Sequence, residues 1–231
     1  MTTSTWPETR TGHDCYRTAR TDGPIPALEL LSDSLLRGMV PFGPAGHAVT
    51  TPAVAGSASH VWLDGVESER EPAGEQAVPR TAVPDGPILI LRRTAPAKAR
   101  AGWESAVRHD VWLSGLAWLR LGLSEALRQS CVSYLGGRRT GADGTLLQQQ
   151  LVKGTLGEAV AAQLEVHAVL CDPDAAQTAG MAERLHRVLT ATDRQLVHLL
   201  GAGGYVAGGA GQAVNLSELL ADAYCRREPP W

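Results

Sequence analysis

Residues 103–134, WESAVRHDVWLSGLAWLRLGLSEALRQSCVSY, decide how this chain is read. Val107, Val111, Trp112, Leu116, Leu119, Leu123 and Leu127 recur at three- and four-residue steps, which sets them along one broad face of a helix. Gly136-Gly137 then supplies a glycine stop. A helix of about 32 residues is roughly 48 Å long at 1.5 Å per residue. That length suits a bundle of antiparallel rods better than a globin-like packing.

The segments downstream repeat the pattern. Thr145–Cys171 carries Leu147, Leu151, Leu156, Val160, Leu164 and Ala168 as a stripe, and Asp172-Pro173-Asp174 both stops that helix and caps the next. A third helix is expected from Ala175 to Leu200, with Met181, Leu185, Val188, Leu189, Leu196 and Leu199 at helical spacing. It ends at Gly201-Ala202-Gly203-Gly204, and a shorter helix, Ala213–Tyr224, follows. The fold class is therefore mainly α, with an up-and-down antiparallel bundle over residues 101–231.

Upstream the composition changes. Proline and glycine crowd the first hundred positions, whereas Pro173 is the only proline between Ala101 and Leu200, which places a boundary near Arg100. Ile25–Val40 has Leu28, Leu31, Leu35 and Leu36 in helical register, and His60–Leu63 and Pro87–Leu91 are short apolar runs that read as strands. Glu67–Pro79 reads as a mobile polar loop. Residues 24–100 are thus expected to be a small α+β region. Residues 1–23 carry too little apolar surface to order by themselves and are expected to be a disordered tail.

The 21 basic and 24 acidic side chains leave a net charge of -3, so the chain lacks the basic surface that neutralises phosphate backbones, and nucleic acid is excluded as a principal partner. No run reaches the roughly 18 apolar residues of a membrane span. The start lacks the apolar core of a secretory signal. Cys15, Cys131, Cys171 and Cys225 stand too far apart in sequence to suggest a Cys-x-x-Cys pair or a compact disulfide framework. A reducing cytoplasm is the expected setting.

Three features could carry chemistry. Glycine-rich Gly201–Gly211 either lets the backbone approach a phosphate or simply joins two helices. Arg138 and Arg139 either make bidentate phosphate contacts or offset the negative end of the preceding helix. Gln148, Gln149 and Gln150 open the second helix, where an amide binds a ligand or faces water. The seven histidines show no zinc-ligand spacing, so no metal site is expected, and there is no Gly-x-Ser-x-Gly elbow.

Taken in order, these features resemble a known family. Tyr134-Leu-Gly-Gly-Arg138-Arg139-Thr140-Gly141, then Gln150-Leu-Val-Lys-Gly-Thr-Leu-Gly-Glu158, then His198-Leu-Leu-Gly201-Ala202-Gly203-Gly204-Tyr205, are similar to the carboxy-terminal helical domain of the acyl-CoA dehydrogenases. The similarity covers about Trp103–Tyr205. It implies that residues 24–100 are a reduced form of the family's middle β domain. It also implies that Arg138 or Arg139, Gln150, His198, Gly201, Gly203 and Gly204 hold the adenosine pyrophosphate of FAD across a subunit interface. The implied activity is α,β-dehydrogenation of an acyl thioester, on CoA or a carrier protein, in a homo-oligomer or beside a second dehydrogenase-like subunit.

The departures bear on activity. The family's Phe-Gly after the arginine is missing, and the residues ahead of the bundle leave no room for a full amino-terminal helical domain. Thr50-Thr51-Pro52 with Gly56-Ser57 only echoes the family's flavin-contacting Thr-Glu-Pro-x-x-Gly-Ser. Neither Glu218 nor Glu228 has the neighbours of the family's catalytic glutamate, so no catalytic residue is named. Two alternatives stay open. One is a non-catalytic structural or regulatory subunit. The other is a flavin-free bundle turned to cyclisation or proton transfer on a thioester or polyketide-like intermediate.

Overall fold

The computed structural model describes residues 7–63, 66–78, 86–93, 103–140, 144–176, 178, 180–206 and 209–225. Helices α1 (Pro7–Thr21) and α2 (Pro24–Leu35) come first. Strands β1 (Met39–Phe42) and β2 (His47–Thr50), helix α3 (Pro52–Ser57), and strands β3 (His60–Leu63), β4 (Val66–Glu69), β5 (Glu75–Val78) and β6 (Leu89–Arg93) follow. The rest is helix α4 (Trp103–Gly137), a hairpin of β7 (Arg139–Thr140) and β8 (Gly144–Thr145), then α5 (Gln150–Cys171), α6 (Pro173–Ala176), α7 (Met181–Leu200) and α8 (Ala210–Cys225). A tight turn at Leu146–Gln148 precedes α5, and another at Gly201–Tyr205 joins α7 to α8.

Helix α4 is the axis of the molecule. The sequence suggested one apolar face, yet nearly every side chain from Trp112 to Ser124 is buried. A helix that is apolar all round must be covered all round. Trp112, Leu116, Leu119 and Leu123 pack with α2 and α8, and Ala117, Trp118 and Leu121 pack with Val166, Leu170, Leu185 and Leu189 of α5 and α7.

The remaining side is closed by α1, which corrects the expectation of a disordered tail for residues 7–23; residues 1–6 of that expected tail lie outside the described residues. Its order comes from close approach and not from a wide apolar stripe. Cys15 and Ala19 are fully buried, and a Cβ at Gly12 would fall 2.4 Å from Trp118, as one at Gly122 would fall 2.4 Å from the Tyr16 carbonyl oxygen. Small residues on both helices let the backbones meet, so a mainly polar helix still docks.

Two small sheets cap one side of the bundle. In one, β1 runs parallel to β3, which pairs antiparallel with β4; in the other, β6 lies between β2 and β5, antiparallel to both. The polar stretch Glu67–Pro79 is therefore not a loop: its described part contributes two edge strands whose side chains face water except for that of Glu75. Its order comes from backbone pairing and from Arg70, which bonds both Glu75 carboxylate oxygens and the carbonyls of Ala55 and Ala58.

Other boundaries shift for local reasons. Helix α2 stops at Leu35 because Gly38, at φ +75°, turns the chain into β1 before Val40. Helix α5 starts at Gln150 because Thr145 and Gln148 close a capping box over a separate turn. Gly180, at φ +75°, delays α7 to Met181. The largest core cluster unites Leu28, Leu31, Val49 and Trp62 with Trp112, Leu216, Leu220 and Tyr224, so residues on both sides of position 100 share one interior.

Candidate functional site

The end of α4, the start of α5, the end of α7 and the start of α8 converge on one cluster, with Cys131, Leu135, Leu156, Leu196, Leu200 and Val214 at its centre. Tyr134 sits at its margin. The Arg138 guanidinium lies 4.6 Å from the centre of the Tyr134 ring and donates to its hydroxyl. A cation over an aromatic face is held there by the ring quadrupole. Gly203 approaches the same ring: a Cβ on it would stand 3.2 Å from both Cζ and the hydroxyl oxygen. One aromatic side chain thus joins the arginine to the glycine turn, although 65 residues of chain separate them.

The other sequence-named groups are not all at this point. Arg139 lies in β7, paired with Thr145, while the Arg138 carbonyl accepts the Leu146 N–H at 2.8 Å. Gln150 is exposed at the first turn of α5. Gly201, at φ +54°, ends α7 in a conformation that suits glycine alone. His198 and Gly204 line a cleft of about 370 Å³ between α7 and α8, with Arg194, Tyr205, Gln212 and Asn215. Neither arginine of the 138–139 pair reaches that cleft's lining, nor does Gln150. Glu218, also on its wall, is held by Arg194 at 2.9 and 3.0 Å. Glu228 falls outside the described residues.

The bundle also encloses a polar network that the sequence reading missed. Arg120 is fully buried in the middle of α4. Its Nε donates to Ser217 at 2.8 Å, its terminal nitrogens reach His186 Nδ1 at 2.9 Å, the His186 carbonyl at 3.0 Å and Thr190 Oγ1 at 2.8 Å. Ser217 in turn donates to Asp193 at 3.2 Å, and His186 Nε2 lies 3.0 Å from the Leu113 carbonyl oxygen. The network continues on the α5 side, where Gln163 donates to Ser124 at 2.9 Å and accepts from Arg128 at 2.7 Å.

Burial sets the charges. Desolvation, with the nearby Arg120 charge, drives His186 down to about 3, so its ring is neutral. Desolvation pushes Asp193 up to about 6, against the opposing pull of Arg120 and of hydrogen bonds from Ser124 and Ser217. At neutral pH the buried guanidinium therefore faces an ionised carboxylate through a shared hydroxyl. The signal was present in the sequence as one arginine inside the apolar run Leu116–Leu123, but its partners lie 66 to 97 residues away.

At the sheet side, α8 is pressed against β1 and β2. A Cβ on Gly43 would stand 1.8 Å from the Ala223 carbonyl oxygen, and the buried Tyr224 hydroxyl bonds both the N–H and the carbonyl of Val49. Thr51 caps α3 and donates to Glu29 at 2.8 Å, while the Thr50 hydroxyl is buried without a hydrogen-bond partner. For a dinucleotide, the residues at the bundle end fit a diphosphate: a fixed guanidinium and an open backbone turn. The seam between α8 and β2 is filled by the Tyr224 side chain.

No protein-family model matches the sequence, and no curated protein does. Solved structures do. FkbI, for biosynthesis of the methoxymalonyl extender unit of a polyketide immunosuppressant, superposes with a TM-score of 0.54 at 18% identity over 93% of this chain and 75% of its own. An acyl-CoA dehydrogenase from Slackia heliotrinireducens gives 0.63 at 12% identity, over 94% of this chain and 77% of its own. A glutaryl-CoA dehydrogenase from Mycobacterium smegmatis in complex with FADH2 gives 0.53 at 14% identity, over 80% and 56%. At these identities the likeness is one of fold.

Proposed function

We propose that this chain, which has the fold of the acyl-CoA dehydrogenases in shortened form, is a flavoprotein subunit that holds the diphosphate end of FAD at the end of its bundle. It would act on an acyl thioester, carried on CoA or a carrier protein, in a cytoplasmic homo- or hetero-oligomer. The observation that carries this reading is the Tyr134 ring clasped between Arg138 and Gly203. Bundle stability does not call for an exposed arginine fixed on an aromatic face beside a turn of bare backbone.

In this reading Arg138 supplies the charge and Tyr134 aims it, with Gly203 and Gly201 leaving the backbone open to an anionic oxygen. His198 and Gly204, in the adjoining cleft, would take the nucleoside side, and Gln150 and Arg139 would serve from the neighbouring subunit's direction. When bound, the flavin supplies the hydride acceptor for the β carbon of an acyl thioester. The base for the α proton is assigned to a partner subunit, because Glu218 is already tied to Arg194.

A second reading has its own observation. Tyr224 fills the seam between α8 and β2, which favours a subunit that binds or stabilises a dehydrogenase partner without turning over substrate itself. An absorbance spectrum of the purified chain, alone and co-expressed with a neighbouring dehydrogenase-like subunit, tests both. Oxidised-flavin bands in the chain alone, or bands in the co-expressed complex that Arg138→Ala removes, support the first reading. Colourless preparations with no thermal shift on adding FAD remove it and leave the second.

A further inference from the structure

We propose that a second cleft, between α7 and the end of α8, binds a small organic monocarboxylate held by the Thr190 hydroxyl and the Arg187 guanidinium. This inference does not rest on flavin binding. The cleft offers about 360 Å³, a volume within the range of small-molecule sites. Ala191 of α7 and Ala221 of α8 line it, and their short side chains leave the space between the two helices unfilled. It is distinct from the cleft lined by His198 and Gly204, with which it shares only Arg194.

Two members of the buried polar network, His186 and Thr190, reach this cleft. Arg120 passes its charge to two hydroxyls. Ser217 accepts from Arg120 Nε and donates to Asp193, so on that side the relay ends on a carboxylate. On the other side Thr190 accepts from Arg120 Nη2 at 2.8 Å, and its own proton has no acceptor among the described residues. A helical threonine ordinarily donates to the carbonyl four residues back, as Thr192 does to Val188 at 2.9 Å. For Thr190 that carbonyl is His186, which receives Arg120 Nη1 at 3.0 Å instead. An anionic oxygen in the cleft would complete this second relay as Asp193 completes the first.

Arg187 supplies the second donor. It lies three residues before Thr190, hence on the same face of α7, and lines the same cleft. It is exposed, and no described residue bonds to it. A guanidinium and a hydroxyl one turn apart suit the two oxygens of a single carboxylate. Arg194 is already engaged by Glu218 and adds no free cation. Glu183 and Asp222 on the walls repel a second negative charge, so a phosphate dianion is disfavoured. The alanines and the half-buried Cys225 side chain leave room for an apolar body behind the carboxylate.

Isothermal titration of the full chain with benzoate, with its neutral amide benzamide and with inorganic phosphate tests this. Benzoate is expected to bind with a dissociation constant of about 0.1 to 10 mM, and the other two at least about tenfold more weakly. Arg187→Gln should leave the melting temperature unchanged and weaken benzoate about tenfold or more. Ala191→Phe, which fills the cleft from an exposed position, should abolish binding. Thr190→Ser should keep it and Thr190→Val should lose it; because valine also strips Arg120 of an acceptor, Arg187→Gln and Ala191→Phe decide the matter if that variant does not fold. No saturation by about 20 mM benzoate overturns the proposal. So does equal binding of benzamide, or benzoate binding indifferent to Arg187→Gln or Ala191→Phe. Flavin content read in the same samples keeps the outcome separate from the cofactor reading, since neither Tyr134 nor Arg138 lines this cleft.

Discussion

The Tyr224 hydroxyl accepts the Val49 N–H at 3.1 Å and lies 3.1 Å from the Val49 carbonyl, joining the last helix to the second strand across 175 residues of sequence. The same hydroxyl is 3.2 Å from the Pro41 carbonyl, so a single side chain serves both β1 and β2. Tyr224→Phe keeps the ring packed on Trp112 and removes only the oxygen, leaving a buried N–H unpaired. The expected loss is about 1–3 kcal/mol, read as a fall in melting temperature of about 2–4 °C per kcal/mol. An unchanged melting temperature would mean that water replaces the hydroxyl and that the seam is looser than described.

Arg120 and Asp193 form a buried pair of opposite charges relayed through Ser217. Removing one member strands the other, so Arg120→Met is expected to cost about 3–5 kcal/mol. Arg120→Met combined with Asp193→Asn should cost less than the sum of the single changes. Chemical denaturation of the four proteins gives the coupling, and strict additivity would show that the two charges do not sense each other.

Two members of that network respond to pH in opposite directions. His186 falls to about 3 in the fold, so the unfolded chain binds its proton first and stability is lost as pH drops from about 6.5 towards 3. Asp193 rises to about 6, so its folded form keeps a proton that the unfolded chain has released, and stability is lost as pH rises from about 4 to 6. Each slope is about 1.4 kcal/mol per pH unit, and between pH 4 and 6 they offset. Asp193→Asn should therefore show stability climbing with pH across that window, and His186→Gln should show it falling. Denaturation midpoints at several pH values check the signs, and parallel profiles for the two variants would contradict the assignment.

Arg138 acts in the proposed site through its place on the Tyr134 ring. Arg138→Ala should weaken FAD retention about tenfold or more, and Arg138→Lys should recover little of it, because an ammonium neither stacks nor forks. Gly203→Val, which crowds the same ring, should act in the same direction. Isothermal titration of FAD and of ADP reads both. Equal affinity in all variants would move the diphosphate elsewhere.

Gly122 meets the Tyr16 carbonyl so closely that Gly122→Val must push α1 away from α4. The expected result is rapid hydrogen exchange confined to Pro7–Thr21 while α4 stays protected, measured by mass spectrometry of peptic peptides. Uniform loss of protection would instead show that α1 and the bundle open as one unit.

The elements legible in the sequence are those whose order is written in short-range periodicity. The stripe Leu116–Leu127, the stop at Gly136-Gly137 and the glycine cluster at Gly201 mark α4, its end and the end of α7 within a few residues. Their order along the chain also carries the resemblance to the dehydrogenase bundle, which the solved structures share as a fold over most of the chain. Periodicity reports which face of a rod is apolar, since burial of that face is what fixes the spacing.

It does not report what lies opposite. Helix α1 looked too polar to order, because its docking depends on the absence of a side chain at Gly12 and Gly122 and not on apolar area. Arg138 and Gly203 were both named from the sequence, but their common contact with Tyr134 exists only once α4 and α7 end at the same level. Arg120 finds Ser217, His186 and Thr190 only when three helices close around it. Local pattern depends on neighbours a few residues apart, whereas these contacts depend on how closely distant backbones approach, and that distance is set by packing the whole core at once.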